Sequence, residues 1–330
     1  MLPVSKNDAP RLLYLDQNKW IELARARYGK EDAAGVVAAL GAVDDAVAVG
    51  KVIVPISGVH VMETMAPSDR GRRERLAEFM VGLSGNASIL PYMALRPLEI
   101  LHAVLRKLGR TPTAPLRPHV LGRGLTYALG AELSVSGIPA PAAEVLTEVL
   151  ESRASSIAML VEAADPALTA VSRREDEAAV AELEVIRARA QAGLTPQQRL
   201  DLEMATVFST GPAGTELLDV LRKLGIGMQE FAAMFDGRDD WVSFFHDVPT
   251  MDVFVTLGTE RDRSKERRIH RNDTKDLGFL AVAIPYANIV VTERFWAHLA
   301  NSTGLAERYG TTVVADVARL PALLAARDCT

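Results

Sequence analysis

The chain has 330 residues, 48% of them hydrophobic and 24% charged, with 23 Gly and 17 Pro, which is the composition of a folded chain and argues against a disordered one, while the length excludes a peptide-sized binder. Lys and Arg number 37 against 42 Asp and Glu, a net charge of −5, so the positive field that coats DNA non-specifically is excluded and any nucleic-acid contact must be local. The single cysteine, Cys329, excludes an intramolecular disulfide and a Cys-based zinc cage.

In chain order, the residues before Arg11 carry Lys6 and Asp8 and no apolar signal-peptide core. The longest apolar run, from Ala33 to Val43, stops at Asp44 and Asp45, well short of the ~20 residues that span a bilayer. A cytoplasmic chain that does not enter membranes is expected. Residues 11–15 form a short apolar run ending at Asp16, after which Trp20, Leu23, Ala24 and Tyr28 share one helical face. A second helix over about 32–49 leads into the β-branched run 51–55. Ser57 suits the N-cap of a helix through Met65, and a further helix over 70–83 closes at Gly85 and Asn86 before a third strand at 87–90.

Near the far end the alternation returns: a helix over 274–283, a strand over 288–292, a helix over 295–305 and a last strand over 311–315. Strands alternating with helices imply a parallel sheet covered on both faces. The residues between, 93–269, are mostly helical in pattern. Residues 176–202 are rich in Ala, Glu, Arg and Leu, with a break and restart at Thr195 and Pro196. The run 253–256 is β-branched, and its period leaves strand and buried helix both open. Three segments are therefore expected: 1–92 and 270–330 as two halves of one α/β domain, and 93–269 as a helical insertion.

In a parallel sheet, ligands collect at the carboxyl ends of the strands. Acidic residues recur there: Asp16 after the first strand, Glu63 in the helix after the second, Asp273 and Asp276 opening the helix before the fourth, and Glu293 after the fourth. Carboxylates crowded at one edge repel unless a hard cation compensates them, and an oxygen-only donor set favours Mg²⁺ or Mn²⁺. Such a centre suits hydrolysis of a phosphodiester.

The stretches carrying these residues are Leu-Tyr-Leu-Asp16-Gln-Asn18-Lys-Trp20, then Val-Pro-Ile-Ser57-Gly-Val-His60-Val-Met-Glu63, and Asn-Asp273-Thr-Lys-Asp276 running through Thr292 and Glu293. They resemble the PIN and PIN-like domain ribonucleases over residues 11–92 and 270–316. The resemblance implies a PIN-like α/β fold and a metal-dependent nuclease, with RNA the expected substrate. It makes Asp16 the first metal ligand, Glu63 the helix-borne one and Asp276 the acid of an Asp-x-x-x-x-Ala helix. Asp273, one turn earlier, is the alternative there. Where the family pattern has Thr-x-Asp, this chain has Thr292 followed directly by Glu293. The implied catalytic set is Asp16, Glu63, Asp276 and Glu293, with Asn18, Ser57, His60 and Thr292 supporting it. His60 is expected to orient Glu63, because positions 57, 60 and 63 can share one side of a helix.

Two arginine groups flank these acids. Arg70, Arg72, Arg73 and Arg75 follow the Glu63 helix, while Arg263, Arg267, Arg268 and Arg271 lead into Asp273 and are the expected phosphate contacts, with Arg261 and Lys265 in the same run. Mixed charge in this second run also suits a solvated helix face. The alternative function is a PIN-like scaffold without catalysis that binds RNA, or a protein partner through the insertion. Other signatures fail: Gly122 and Gly124 lack a third glycine at Tyr127, and a haloacid-type phosphatase would want Asp where Asn18 stands.

Overall fold

Residues 12–15 are all buried, as suits an interior strand of a parallel sheet, which carries apolar side chains on both faces. The computed structural model describes residues 10–326 apart from 67–68, 113–115, 117–118, 132–138, 163–173, 175–176, 179, 182–183, 186, 189–193 and 265–266. Lys6, Asp8, Lys265, Cys329 and much of the helical pattern expected over 176–194 lie outside the described residues. The chain forms two compact units, one of residues 5–91, 120–170 and 286–330, the other chiefly of 92–119 and 171–285.

The first unit contains, in order, β1 (Arg11–Leu15), α1 (Gln17–Arg27), α2 (Ala34–Ala48), β2 (Val52–Ile53), α3 (Gly58–Met65), α4 (Arg70–Ser84), β3 (Ala87–Ile89), β4 (Leu121–Arg123), helices Gly124–Ala128, Ala140–Leu150 and Arg153–Val161, then β5 (Ile289–Val291), helix Arg294–Ser302 and β6 (Thr312–Val314). Four strands make one parallel sheet in the order β2-β1-β5-β6. β1 and β5 pair in the register Leu13–Ile289, Tyr14–Val290 and Leu15–Val291, so the two strands end level with each other. Beside the sheet, Trp20 is fully buried and meets Phe79 and His60 edge-on at 5.9 and 6.0 Å.

The third expected strand forms but joins a different ladder. β3 touches the parallel strands' side only through an Ile56–Ser88 bridge, and pairs antiparallel with β4, which falls inside the segment expected to be a helical insertion. Gly122 permits this: a Cβ there would lie 2.5 Å from the Tyr127 ring. The glycines that fail as a nucleotide fingerprint thus serve a close approach of strand and ring. Helix Arg153–Val161 also belongs with the sheet, where the buried Arg73 donates its Nε to the Val161 carbonyl at 2.8 Å.

The second unit is helical, with helices Tyr92–Lys107, Pro196–Thr210, Pro212–Leu224, Met228–Ala232, Arg238–His246, Pro249–Arg263 and most of Asp273–Tyr286. Its core includes Phe208, Phe231, Phe244 and Phe245, with Phe235 and Trp241 packed against them. Residues 253–256 are helical, within Pro249–Arg263, whose proline occupies the first turn. Thr195 caps the restarted helix by accepting from the Gln198 amide at 3.2 Å. The first division falls at 91/92, beside the expected 92/93, while residues 120–170 go with the sheet and the helix bearing Asp273 and Asp276 goes with the helical unit up to Pro285. No helix among the described residues is long and apolar enough to cross a membrane.

Candidate functional site

Because β1 and β5 end level, the residues immediately after them meet. The Asp16 amide donates to the Val291 carbonyl at 2.9 Å, continuing the ladder one step past the strand. The Asp16 Oδ1 accepts from the Gln17 amide at 2.7 Å, capping α1, and its Oδ2 accepts from Thr292 Oγ1 at 3.1 Å. One residue on, Glu293 occupies the N-cap position of helix Arg294–Ser302, but its Oε1 accepts from Asn18 Nδ2 at 3.0 Å. Four of the expected residues, Asp16, Asn18, Thr292 and Glu293, therefore converge at the carboxyl ends of two adjacent strands.

Burial is the largest influence on Asp16 and holds its carboxyl above the usual carboxylate range. The hydrogen bonds from Thr292 and Gln17 oppose that shift, the Glu293 charge adds to it, and the Lys19 charge offsets it in part. A carboxylate held in a desolvated place beside a second acid is electrostatically costly as it stands. Protonation relieves that cost, and so would a cation beside the two acids.

Beneath this edge lies a buried network that the sequence pattern did not reveal. Gln17, 4% exposed, donates its Nε2 to Thr64 Oγ1 at 3.1 Å. The buried face of α3 runs through Ser57, His60 and Thr64, while Glu63 is only half-buried. At 100° per residue, position 64 falls ~20° from position 57 and position 63 falls ~120° away, so the expected shared face passes through the threonine and not the glutamate. Glu63 and Asp16 each stand one residue from the Gln17–Thr64 hydrogen bond.

His60 is a core residue. Its Nδ1 accepts from the Ser57 amide at 3.0 Å, closing the first turn of α3, and its ring stacks on Tyr14 at 5.4 Å. Complete burial pushes its pKa down to about 3, so the ring is neutral at pH 7. Ser57 Oγ lies 3.4 Å from the Tyr14 hydroxyl. These contacts hold α3 to the end of β1, and that is the role the structure gives the expected supporting pair.

Asp273 is 1% exposed, and both its oxygens are taken. Arg267 grips it in a two-pronged pair at 2.6 and 2.7 Å, and the His270 amide donates to Oδ2 at 3.0 Å. Asp273 thus ties down the turn that precedes its helix and balances an arginine, and Arg267 is engaged by Asp273. Arg267→Ala is expected to lower the stability of the helical unit by about 2 kcal/mol, below the roughly 3–5 of a fully buried pair because the arginine keeps some solvent contact. A urea midpoint unchanged from wild type would contradict it.

Asp276 stands in the first turn of the same helix, half-buried, in the helical unit. Arg263 pairs with Glu260 at 2.8 Å, while Arg268 and Arg271 are exposed. In the other arginine group, Arg73 is buried, and Arg72 and Arg75 join Arg25 and Lys30 around a cleft of about 340 Å³. Asp16 and that cleft lie at opposite ends of α1. Among the described residues, no three carboxylate, imidazole or thiol groups come together as a ready-made metal cage. Comparison with protein families, with curated proteins and with solved structures found no match.

Proposed function

We propose that the chain is a PIN-like, divalent-metal-dependent nuclease acting on RNA, with its reaction centre at the edge formed by Asp16 and Glu293. The observation that carries this reading is the Thr292–Asp16 hydrogen bond: it joins the ends of two neighbouring parallel strands and fixes a desolvated carboxylate next to a second acid. The donors there are all oxygens, and Mg²⁺ or Mn²⁺ needs only one or two carboxylates when water fills its remaining positions. Asp16 and Glu293 are the residues that would hold the cation, with Glu63 added by the family resemblance. The chemistry such a cation supplies is activation of a water for in-line attack and stabilisation of charge on the phosphoryl oxygens.

The protein's own groups prepare that chemistry. Gln17 and Thr292 fix the two Asp16 oxygens from opposite sides, so the carboxylate is oriented before substrate arrives. Asn18 aims Glu293 in the same way. The Tyr14–His60 stack and the buried Trp20 make an apolar floor under the end of β1, excluding water from below.

Substrate contact falls to exposed arginines, since the whole chain is negative. With Arg267 held by Asp273 and Arg263 paired with Glu260, the phosphate contacts assigned to this run are Arg268 and Arg271. Replacing both with Ala is expected to weaken RNA binding about equally for all sequences, and to reduce the slope of log affinity against log salt by about 1.4, or ~0.7 per lost contact. An unchanged slope in a filter-binding series would remove them from the interface.

The reading is tested by incubating single-stranded RNA with the full chain, with Mg²⁺ or Mn²⁺ and with excess chelator. Cleavage that needs the cation is expected. The absence of cleavage under every divalent condition would leave the second reading, a non-catalytic PIN-like scaffold that binds RNA or protein. One observation favours that second reading: among the described residues the acids at the edge meet as a pair and not as a trio.

A further inference from the structure

Within the helical unit, helices Pro196–Thr210 and Pro249–Arg263 border a cavity of about 150 Å³, too small for a drug-sized ligand (roughly 300 Å³ upward) but roomy for one ring system. Two polar groups on its wall are buried without a partner among the described residues. Arg261 is 2% exposed, and its Nε donates to Asp262 Oδ1 at 2.8 Å, yet its Nη1 meets no acceptor among them. Thr259, 8% exposed, has a hydroxyl that is likewise unmatched. A guanidinium nitrogen stripped of water and left unbonded is costly, and buried polar groups are nearly always satisfied by protein, solvent or ligand. Something polar is therefore expected in the cavity.

The charges around it narrow the choice. Arg199 and Arg261 share the lining with Glu203 and Asp262. A bare anion would meet the two acids and a bare cation the two arginines, so neither phosphate nor metal ion fits. Burial, with the neighbouring Asp262 charge, holds the Glu203 carboxyl above its usual range. What fits is an uncharged molecule that offers acceptors on one edge and donors on the next. The remaining wall is apolar and partly aromatic, with Val255, Leu277 and Phe254, and the Phe254 ring is backed by Tyr92 at 5.4 Å. A flat heterocycle satisfies both halves of this wall.

We propose that this cavity is a recognition pocket for a guanine-type base, with Arg261 and Thr259 donating to its O6/N7 edge and the Glu203–Asp262 pair accepting from its ring and exocyclic N–H groups. Guanidinium paired with O6 and N7 is the commonest specific contact to guanine, and only guanine among the four bases sets both acceptors on one edge next to the N–H donors of the adjacent edge. The pocket belongs to the helical unit alone and uses none of the acidic residues assigned to cleavage, so its failure and the failure of the nuclease reading are separate results.

The test is calorimetric titration of the full chain, in buffer without divalent cations, with the 5′-monophosphates of guanosine, adenosine, cytidine and uridine, and with the tetranucleotides UUGU and UUUU. Guanosine monophosphate or UUGU is expected to bind at least about tenfold tighter than its counterparts, and the tighter of those two tells a free nucleotide from an RNA base. Arg261→Met should weaken that binding by about tenfold or more, and Thr259→Val, which keeps the side-chain shape, by about fivefold. If the arginine variant fails to fold, the threonine variant decides. Absence of saturable guanosine binding would mean that solvent alone fills the cavity. Equal binding of all four bases, or wild-type affinity in Thr259→Val, would also overturn the proposal.

Discussion

Asp16→Asn is expected to reduce divalent-dependent RNA cleavage by more than about 100-fold while the chain remains folded. The reduction follows from charge: the amide keeps the shape and the α1 cap but removes the anion that would hold the cation, and loss of groups that merely orient a metal ligand already costs about 10–100-fold. Folding is spared because of where the carboxylate lies. Burial opposes ionisation of Asp16, so the native carboxylate is a net burden on the fold, and a neutral side chain that still accepts from Gln17 relieves it. The expected pair of results is therefore an inactive variant whose urea midpoint equals or exceeds that of wild type. An active variant would remove Asp16 from the chemistry, and an unfolded one would make it a structural cap.

Acid is expected to destabilise the sheet unit through His60 well before the carboxylates respond. Burial holds the folded pKa at about 3, against 6.5 for an imidazole in water. The unfolded chain takes up a proton as pH falls through 6.5, and the folded chain does not, so the contribution is complete above that value and declines steadily toward pH 3. At about 1.4 kcal/mol per pH unit, the loss at pH 4.5 is about 2.7 kcal/mol. His60→Asn isolates the effect, because its carbonyl can accept from the Ser57 amide as Nδ1 does. The variant should be weaker at pH 7.5, having lost the stacking on Tyr14, but flatter between pH 7.5 and 4.5. Equal slopes in urea-unfolding series of the two proteins would contradict the assignment.

The parts of the fold and site that the sequence revealed are those with local signatures. Residues 12–15 are apolar on both faces and end at an acid, and Ile289–Val291 repeats the pattern before Thr292, so the two strands and the polar residues at their ends were legible locally, whereas strand alternation does not say that they are neighbours. What escaped depends on partners distant in the chain. β3 could not be assigned to its antiparallel ladder, because β4 is three residues long and rests on a glycine that accommodates a tyrosine ring. The charged runs gave no sign of which arginine would be consumed: Arg73 finds a carbonyl 88 residues away, and Arg267 turns to Asp273 six residues on. Thr64 was passed over for Glu63 because an acid attracts attention and a threonine does not, although the helical angle favours the threonine. The packing divides the chain at 285/286 and not at 269/270 for a similar reason. The helix Asp273–Tyr286 reads as the lead-in to β5, yet it packs up to Pro285 with the helices before it.

The central claim is that the edge formed by Asp16 and Glu293 holds a divalent cation. The most direct measurement is a Mn²⁺ titration of the full chain followed by electron paramagnetic resonance, run in parallel on wild type, Asp16→Asn and Arg268→Ala. Saturable Mn²⁺ binding is predicted for wild type and Arg268→Ala and is predicted to disappear in Asp16→Asn. Equal binding in wild type and Asp16→Asn, or no saturable binding in wild type, would contradict the account.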